Sequence, residues 1–303
     1  MHRYKTFPPR WRNLRLPTSS RDAALATLAL WSPCRRGGVL IQRLGWATVR
    51  VLGTGFLPGP TGPWDPPWDE ATGGQLATRW RAAVGDFDDV GIYERPQAAR
   101  EGFALLLLAA GRPVAFVKLR ATEGDAVHPD LRHEHDVLRL VEAAGATAFT
   151  HPRALGLGIV GRWSYLTTSV MPLGLDRPAA VEDADVIIAD IRRTLAQLPR
   201  GHDVPEGWEP MHGDLTPWNL RVRRAGGLTL VDWEDARWGP PGADAVLLHA
   251  SRCALFGIAP PRLPREAADY WLQQVAEREE DPLDNQLRGD LVSALQRMAA
   301  GIA

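Results

Sequence analysis

Hydrophobic positions along the 303-residue chain fall into runs of two different periods, and the change of period gives the first outline of the fold. "VGIYERP" and "GFALLLLAAGRPVAFVKLR" are short, rich in β-branched, aromatic and leucine residues, and bounded by Gly and Pro. They predict three strands, the last two joined at Ala110-Gly111-Arg112 in an antiparallel meander. From Leu131 the period becomes helical: Val137, Leu138 and Val141 share one stripe, and Gly145 stops the helix after Ala144. "RWSYLTTSVMPLG" predicts another strand running into a Pro/Gly bend, and Val181 to Leu198 predicts a helix. After Gly207 come short strands and loops, then helices near Ala243, from Pro264 to Glu277 and from Leu287 to Ala300. Strands first and helices later indicate an α+β chain with two lobes.

The beginning of the chain fits neither half. Ser19 or Ser20 is placed to cap a helix over Ala23 to Trp31, and a second, partly amphipathic helix is expected over Val39 to Leu52. Residues 54–75, "TGFLPGPTGPWDPPWDEATGGQ", are so dense in Gly and Pro that a linker is the expectation. The predicted organisation is therefore an N-terminal helical extension and linker over 1–80, a strand-rich lobe over 81–172 and a helical lobe over 173–303.

Composition excludes more than it selects. With 45% hydrophobic residues and a net charge of −1, the chain is an ordinary globular one. Cys34 and Cys253 are its two cysteines and have no CxxC spacing, which indicates neither a disulfide framework nor a zinc site. That cysteine usage, with no secretory h-region ahead of it, makes the reducing cytoplasm the expected compartment, and because no apolar run reaches the roughly 18–20 residues of a membrane span the protein is not expected to cross a bilayer. Nothing suggests a nucleic-acid partner. Charge is uneven, however: residues 1–53 carry nine Arg and one Lys against the single acid Asp22, a segment suited to peripheral docking on an anionic membrane.

Candidate chemistry is concentrated in "MHGDLTPWNL", which holds one of the three Asn of the chain. "NLRVRRAGGLTLVDWE" then predicts a hairpin, with strands Leu220 to Arg224 and Leu228 to Val231. If Ala225-Gly226 turn, Asn219 sits directly opposite Asp232; if Gly226-Gly227 turn, the two are offset neighbours. Either way an amide oxygen and a carboxylate meet at the mouth of one hairpin, a donor pair for a hard cation such as Mg²⁺. Asp214, five residues before Asn219, would stand near that cation and accept a proton from a hydroxyl, the DxxxxN spacing of phosphoryl-transfer loops. His212 would brace the loop, so Asp214 and His212 are the catalytic candidates, and Asn219 and Asp232 the metal candidates.

A second signal comes from Lys118, one of only two lysines among 35 basic residues, inside the apolar strand "PVAFVKLR". A buried ammonium needs a partner, and a compact point charge suits a nucleotide phosphate better than a planar fork does. Glu134 shares the inward stripe of its helix with Leu138 and Val141 and is a candidate partner; Arg132 or Arg139 would be local alternatives for its carboxylate.

Together these residues resemble the aminoglycoside phosphotransferase and choline kinase-like branch of the protein kinase-like superfamily. "HGDLTPWN" is similar to its HGD-x-x-P-x-N loop, "VDWEDARWGPPGAD" to its D-W-E and G-x-P-x-x-D elements, and "FVKLR" and "LRHEHDVLRLVEAAG" to its lysine strand and glutamate helix, over about residues 84–250. The resemblance implies a two-lobed kinase-like fold, with a small antiparallel-sheet lobe and a mainly helical one. It further implies ATP and Mg²⁺ as cofactors, Asp214 as base and Asn219 and Asp232 as metal ligands. Lys118 and Glu134 would serve the α and β phosphates, Ser169, Val170 and Met171 would be an adenine hinge, and Asp244 would be structural. The expected activity is transfer of a γ-phosphate to a hydroxyl of a small molecule, such as an amino alcohol, a sugar or an aminoglycoside. "DWE" in place of DFG and the lack of A-P-E argue against a protein kinase. The alternative is a catalytically silent kinase-like module that docks on a membrane or partner through its basic N-terminus. "ERPQAAREG" has one glycine where a Gly-rich loop would cover phosphates.

Overall fold

The computed structural model describes residues 3–9, 13–31, 33–94, 102–171, 174–179, 184–223, 226–277 and 285–301. The chain divides into two compact units, the first comprising residues 1–135 and 152–176, the second 136–151 and 177–303.

The first unit is built on an eight-stranded antiparallel sheet. In chain order its elements are β1 (Tyr4–Phe7), β2 (Leu14–Pro17), α1 (Arg21–Leu28), α2 (Arg36–Leu52), β3 (Thr61–Gly62), α3 (Glu70–Val84), β4 (Asp89–Glu94), β5 (Phe103–Ala109), β6 (Arg112–Ala121), the start of α4 (Pro129–Ala144), β7 (Ala154–Val160) and β8 (Trp163–Thr168). The strand order is β3-β1-β2-β4-β5-β6-β8-β7. The predicted meander is β4, β5 and β6. Ala110 and Gly111 both take positive φ, 48° and 75°, which gives the two-residue turn a twist that matches its strands. The unbroken leucines of β5 follow from burial on both faces. Leu105 and Leu107 pack with Trp80, Val117 and Tyr165. Leu106 and Leu108 pack on the other side with Ala23 of α1.

The N-terminal region departs from the predicted helical extension. Ser20 does cap α1, accepting from the Ala23 N–H at 3.0 Å, and α2 is present. Residues 4–7 and 14–17, however, are strands, and β2 pairs antiparallel with β4 through Leu14↔Tyr93 and Arg15↔Ile92. Phe7, Leu14, Leu16, Ala24, Leu28, Trp31, Val49 and Leu57 form one buried cluster. Residues 1–80 are thus part of the first compact unit, and the chain does not divide near residue 80. Two four-residue strands are too short for alternation to stand out from their basic neighbours. The expected linker also ends early, because α3 begins at Glu70, capped by Asp69 accepting from the Thr72 N–H at 2.7 Å. Gly73 and Gly74 cost this helix about 1 kcal/mol each, whereas burying Leu76 and Trp80 returns about 1.5–3 kcal/mol for each apolar side chain. The linker tryptophans are packing residues: Trp68 meets Trp64 and Trp163 edge-on, each at 5.3 Å between ring centroids, and Phe103 at 6.0 Å.

The second unit holds the rest of α4, then β9 (Arg177–Pro178), α5 (Ala184–Thr194), β10 (Glu209–Met211), β11 (Leu220–Val222), β12 (Leu228–Leu230), β13 (Arg237–Gly239), α6 (Ala243–Phe256), α7 (Arg265–Glu277) and α8 (Asn285–Ala299). Its strands form two small sheets, β12-β11-β9 and β10-β13. Its core lies among α6, α7 and α8: Val246, Leu247, Trp271 and Leu295 are buried together, and Trp271 donates its indole N–H to the Ala243 carbonyl at 2.7 Å. An antiparallel-sheet unit and a mainly helical unit are the α+β division expected of a kinase-like chain. Among the described residues no helix is long and apolar enough to cross a membrane.

Candidate functional site

In the first unit the two chemically conspicuous residues meet. Lys118 sits on β6, between Ala104 of β5 and Leu166 of β8. Strand alternation turns Val117 and Leu119 into the large core cluster and Lys118 and Arg120 to the opposite face. There Lys118 Nζ lies 2.8 Å from Glu134 Oε1 and 2.7 Å from Oε2, and Arg120 Nη1 lies 3.3 Å from Asp130 Oδ2. Two residues along a strand and four along a helix span nearly the same distance, about 6–7 Å, so the paired contacts fix α4 antiparallel to β6. Lys118 and Glu134 are 8% and 3% exposed, so each ion requires the other's charge. Between the partners open to Glu134, the structure takes the distant lysine. The segment proposed as hinge follows β8: the Ser169 N–H donates to the Arg153 carbonyl at 2.8 Å, its hydroxyl accepts from the Arg153 N–H at 2.9 Å, and Val170 packs beside Ala23, Leu106 and Leu108. Ser169, Val170 and Met171 are all half-buried. Residues 95–101, most of the low-glycine segment, lie outside the described residues.

In the second unit the decapeptide forms a loop between β10 and β11. Its anchor is Asp244, at the start of α6, whose carboxylate accepts from the backbone N–H of His212 at 2.8 Å and of Gly213 at 3.2 Å. Burial pushes the Asp244 carboxyl up to about 6, against the downward pull of those two N–H bonds and of Arg192. His212 is fully buried and is a positioning residue by its contacts. Its Nδ1 accepts from the Asp214 N–H at 3.2 Å, which leaves the proton on Nε2 to donate to the Val231 carbonyl, also at 3.2 Å. Its ring packs at a tilt of 58° against Trp233, with centroids 4.6 Å apart, and Trp233 is itself fully buried and also meets Phe149. Gly213 has φ +79° and passes so close to the next loop that a Cβ would lie 2.0 Å from the Asp235 carbonyl oxygen. Only glycine fits there.

These anchors fix the reactive side chains. The turn after Asp214 closes through Asn219 N–H to Thr216 O at 3.1 Å and Leu220 N–H to the same oxygen at 2.8 Å. Asn219, 5% exposed, then donates Nδ2 to Asp214 Oδ2 at 2.8 Å and to the Asp214 carbonyl at 3.0 Å. With its amide nitrogen engaged, its Oδ1 is the atom left to act as a ligand.

The hairpin register differs from both predicted turns. Leu220 pairs with Leu230 and Val222 with Leu228, and the Arg223 N–H bonds the Gly227 carbonyl, a register one residue away from the first of the two expected pairings. Asn219 is therefore opposite Val231, whose N–H donates to the Asn219 carbonyl at 3.2 Å, and Asp232 is the next residue along. The strands are also shorter than expected, ending at Val222 and Leu230. Asp232 leaves the ladder in the left-handed region, with φ 68° and ψ 67°. That conformation is uncommon for a residue other than glycine and is retained where the surroundings enforce it. A carboxylate oxygen of Glu234 comes within 4.8 Å of one from Asp232. Sequence reasoning passed over Glu234 and the bonds of Asp244; the i+2 spacing from Asp232 across a short turn was the available signal for the former.

The comparisons with known proteins bear on this second unit most directly. Residues 177–283 match the phosphotransferase enzyme family, a segment that includes the whole loop, the hairpin and Asp244. The family resemblance read from the motifs is supported there. No curated protein sequence matches the chain. Solved structures that it resembles include the ADP-bound aminoglycoside phosphotransferase APH(2'')-Ib, at 11% identity over 77% of this chain and 99% of that one, with a TM-score of 0.45. An aminoglycoside phosphotransferase APH(3'')-Id from Streptomyces rimosus, in complex with ADP and streptomycin, is 16% identical over 75% and 98%, with a TM-score of 0.40. An amicoumacin kinase in complex with AMP-PNP and Ca²⁺ is 13% identical over 77% and 85%, with a TM-score of 0.40.

Proposed function

We propose, from the premise that residues 177–283 carry phosphotransferase-family sequence, that this protein is an ATP- and Mg²⁺-dependent phosphotransferase acting on a hydroxyl of a small molecule. The observation that carries the reading is the 2.8 Å bond from Asn219 Nδ2 to Asp214 Oδ2, inside a loop held by buried Asp244 and His212. It orients a carboxylate, as a general base requires, and on the same residue leaves an amide oxygen for a cation.

The donor set suits a hard cation, because Asn219, Asp232 and Glu234 offer oxygen and no nitrogen or sulfur. When bound, Mg²⁺ would neutralise phosphate charge during transfer. Asn219 and Asp232 would hold it. Asp214 accepts the proton of the acceptor hydroxyl as that oxygen forms its bond to the γ-phosphorus and the bond to the bridging oxygen of ADP breaks. Lys118, held by Glu134, binds the α and β phosphates, and Ser169, Val170 and Met171 offer backbone to adenine. His212 keeps the loop in place and takes no proton from the substrate. The acceptor is an amino alcohol, a sugar or an aminoglycoside-like molecule, encountered in the cytoplasm, with no nucleic acid as partner.

The test is acceptor-dependent ADP release by the purified protein across a panel of those three classes, with Mg²⁺ and with EDTA. Turnover with one class that EDTA abolishes is the expected result. Nucleotide binding without turnover on any acceptor would instead favour a catalytically silent module, and equal nucleotide affinity with Mg²⁺ and EDTA would remove Asn219 and Asp232 as ligands.

A further inference from the structure

The outer face of α2 has a composition that folding of the first unit does not explain. Its inner face is spent on the core: Val49 is fully buried, Gly45 lies against the Phe7 ring, and Gln42 is buried with its amide bonded to the Trp31 carbonyl. On the other side Leu40, Leu44 and Val51 follow one another at i, i+4 and i+11, a single ridge along the helix, and are 57%, 58% and 69% exposed. Ile41 and Leu52 flank the ridge, and Phe56, in the turn that follows the helix, is 69% exposed. Among the described residues the other exposed large hydrophobic side chains are Leu155, Val186 and the neighbouring Phe256 and Ile258, each less exposed than Leu40, Leu44 and Val51 except Val186.

Charge decides what such a ridge meets. Arg36, Arg43 and Arg50 recur every seven residues along one edge of it, all exposed and none in an ion pair among the described residues. Residues 23–64 contain no Asp or Glu. A second copy that met the ridge through its own α2 would set arginine against arginine, because that helix carries no acid. An anionic bilayer receives both features, since apolar side chains enter the acyl boundary while flexible arginines reach back to the headgroups.

We propose that the outer face of α2 docks this protein peripherally on anionic lipid, with Leu40, Leu44 and Val51 inserted and Arg36, Arg43 and Arg50 on headgroup phosphates. The element is not a detachable arm, because residues 1–53 supply two strands and much of a core cluster. The proposal stands on surface composition alone and is independent of catalysis.

The experiment is therefore done on the full chain, by co-sedimentation with phosphatidylcholine vesicles with and without phosphatidylglycerol. Binding should require the anionic lipid and weaken as salt rises. Arg36→Gln/Arg43→Gln/Arg50→Gln should lower affinity by roughly 100-fold, at about fivefold per arginine near an anionic surface. Leu40→Ser/Leu44→Ser/Val51→Ser should lower it at least ~10-fold with an unchanged unfolding midpoint, since these positions are exposed. Absence of binding, equal binding to neutral vesicles, or full binding by the serine variant would overturn the proposal. So would a dimer in sedimentation analysis that the serine variant dissolves, which would make the ridge a contact between copies.

Discussion

The two units hold their chemical groups by different means. Lys118 is paired side chain to side chain with Glu134, sixteen residues away, and the pair exists because a strand face and a helix stripe align. Asp214 is placed by backbone: its neighbours bond Asp244, its own N–H bonds His212, and its carboxylate is fixed by Asn219. An arrangement of the first kind is specific to the chemistry of two side chains and sensitive to their shape. An arrangement of the second kind is redundant at the side-chain level and vulnerable at the backbone.

The contrast predicts where each unit breaks. The largest effect should come from Gly213→Ala, because a methyl group would collide with the Asp235 carbonyl and φ +79° disfavours it as well. The loop must then move, and a shift of about 1 Å costs on the order of 100-fold before the loss of the base itself is counted. We expect turnover to fall by at least ~1000-fold together with a lowered unfolding midpoint; near-normal values of both would show that the loop yields easily and that its backbone is not the anchor.

Asp214→Asn tests the same loop with the backbone left intact. Loss of a general base removes about 10²–10⁴ in rate, so kcat should fall by at least ~100-fold while nucleotide affinity and the unfolding midpoint stay near wild type. An unchanged kcat would take Asp214 out of the chemistry.

Lys118→Arg is the corresponding test in the first unit. Charge is preserved, yet a planar guanidinium cannot occupy the space of an ammonium 2.7 Å from Glu134 without displacing it. We expect a folded protein with kcat reduced by ~100-fold. Activity within about threefold of wild type would mean that charge alone suffices, and the shape sensitivity ascribed to that unit would be lost.

The smallest effect is a pH dependence. With its folded-state value raised to about 6 by burial, Asp244 binds more protons in the folded chain than in the unfolded one between roughly pH 4 and 6. Its contribution to stability is therefore complete below about pH 4 and lost as pH rises through about 6. Denaturant titrations should show this falling limb in the wild type and not in Asp244→Asn. Parallel profiles would assign the limb to other groups and leave Asp244 an anchor without a charge cost.

Much of this could be read in the chain itself, and the parts that could are local. The β5–β6 hairpin follows from a leucine run and a two-residue turn; α4 follows from its stripe and the Gly145 stop, with the Gly145 N–H bonding the Val141 carbonyl at 3.1 Å. The spacing of Asp214 and Asn219 determines their contact, because five residues of a tight turn leave their side chains few other places. Interactions of this range depend on stereochemistry that any sequence carries with it. Tertiary structure decided what several partners could have satisfied. Glu134 had arginines nearby and took Lys118, β2 found an open edge on β4, and the hairpin settled one residue from the expected register with Asp232 in a left-handed turn. In each case the local sequence left more than one arrangement open. Burial of distant surfaces, such as Leu14 and Leu16 against α1 or Trp233 against His212 and Phe149, supplied the difference that selected one of them.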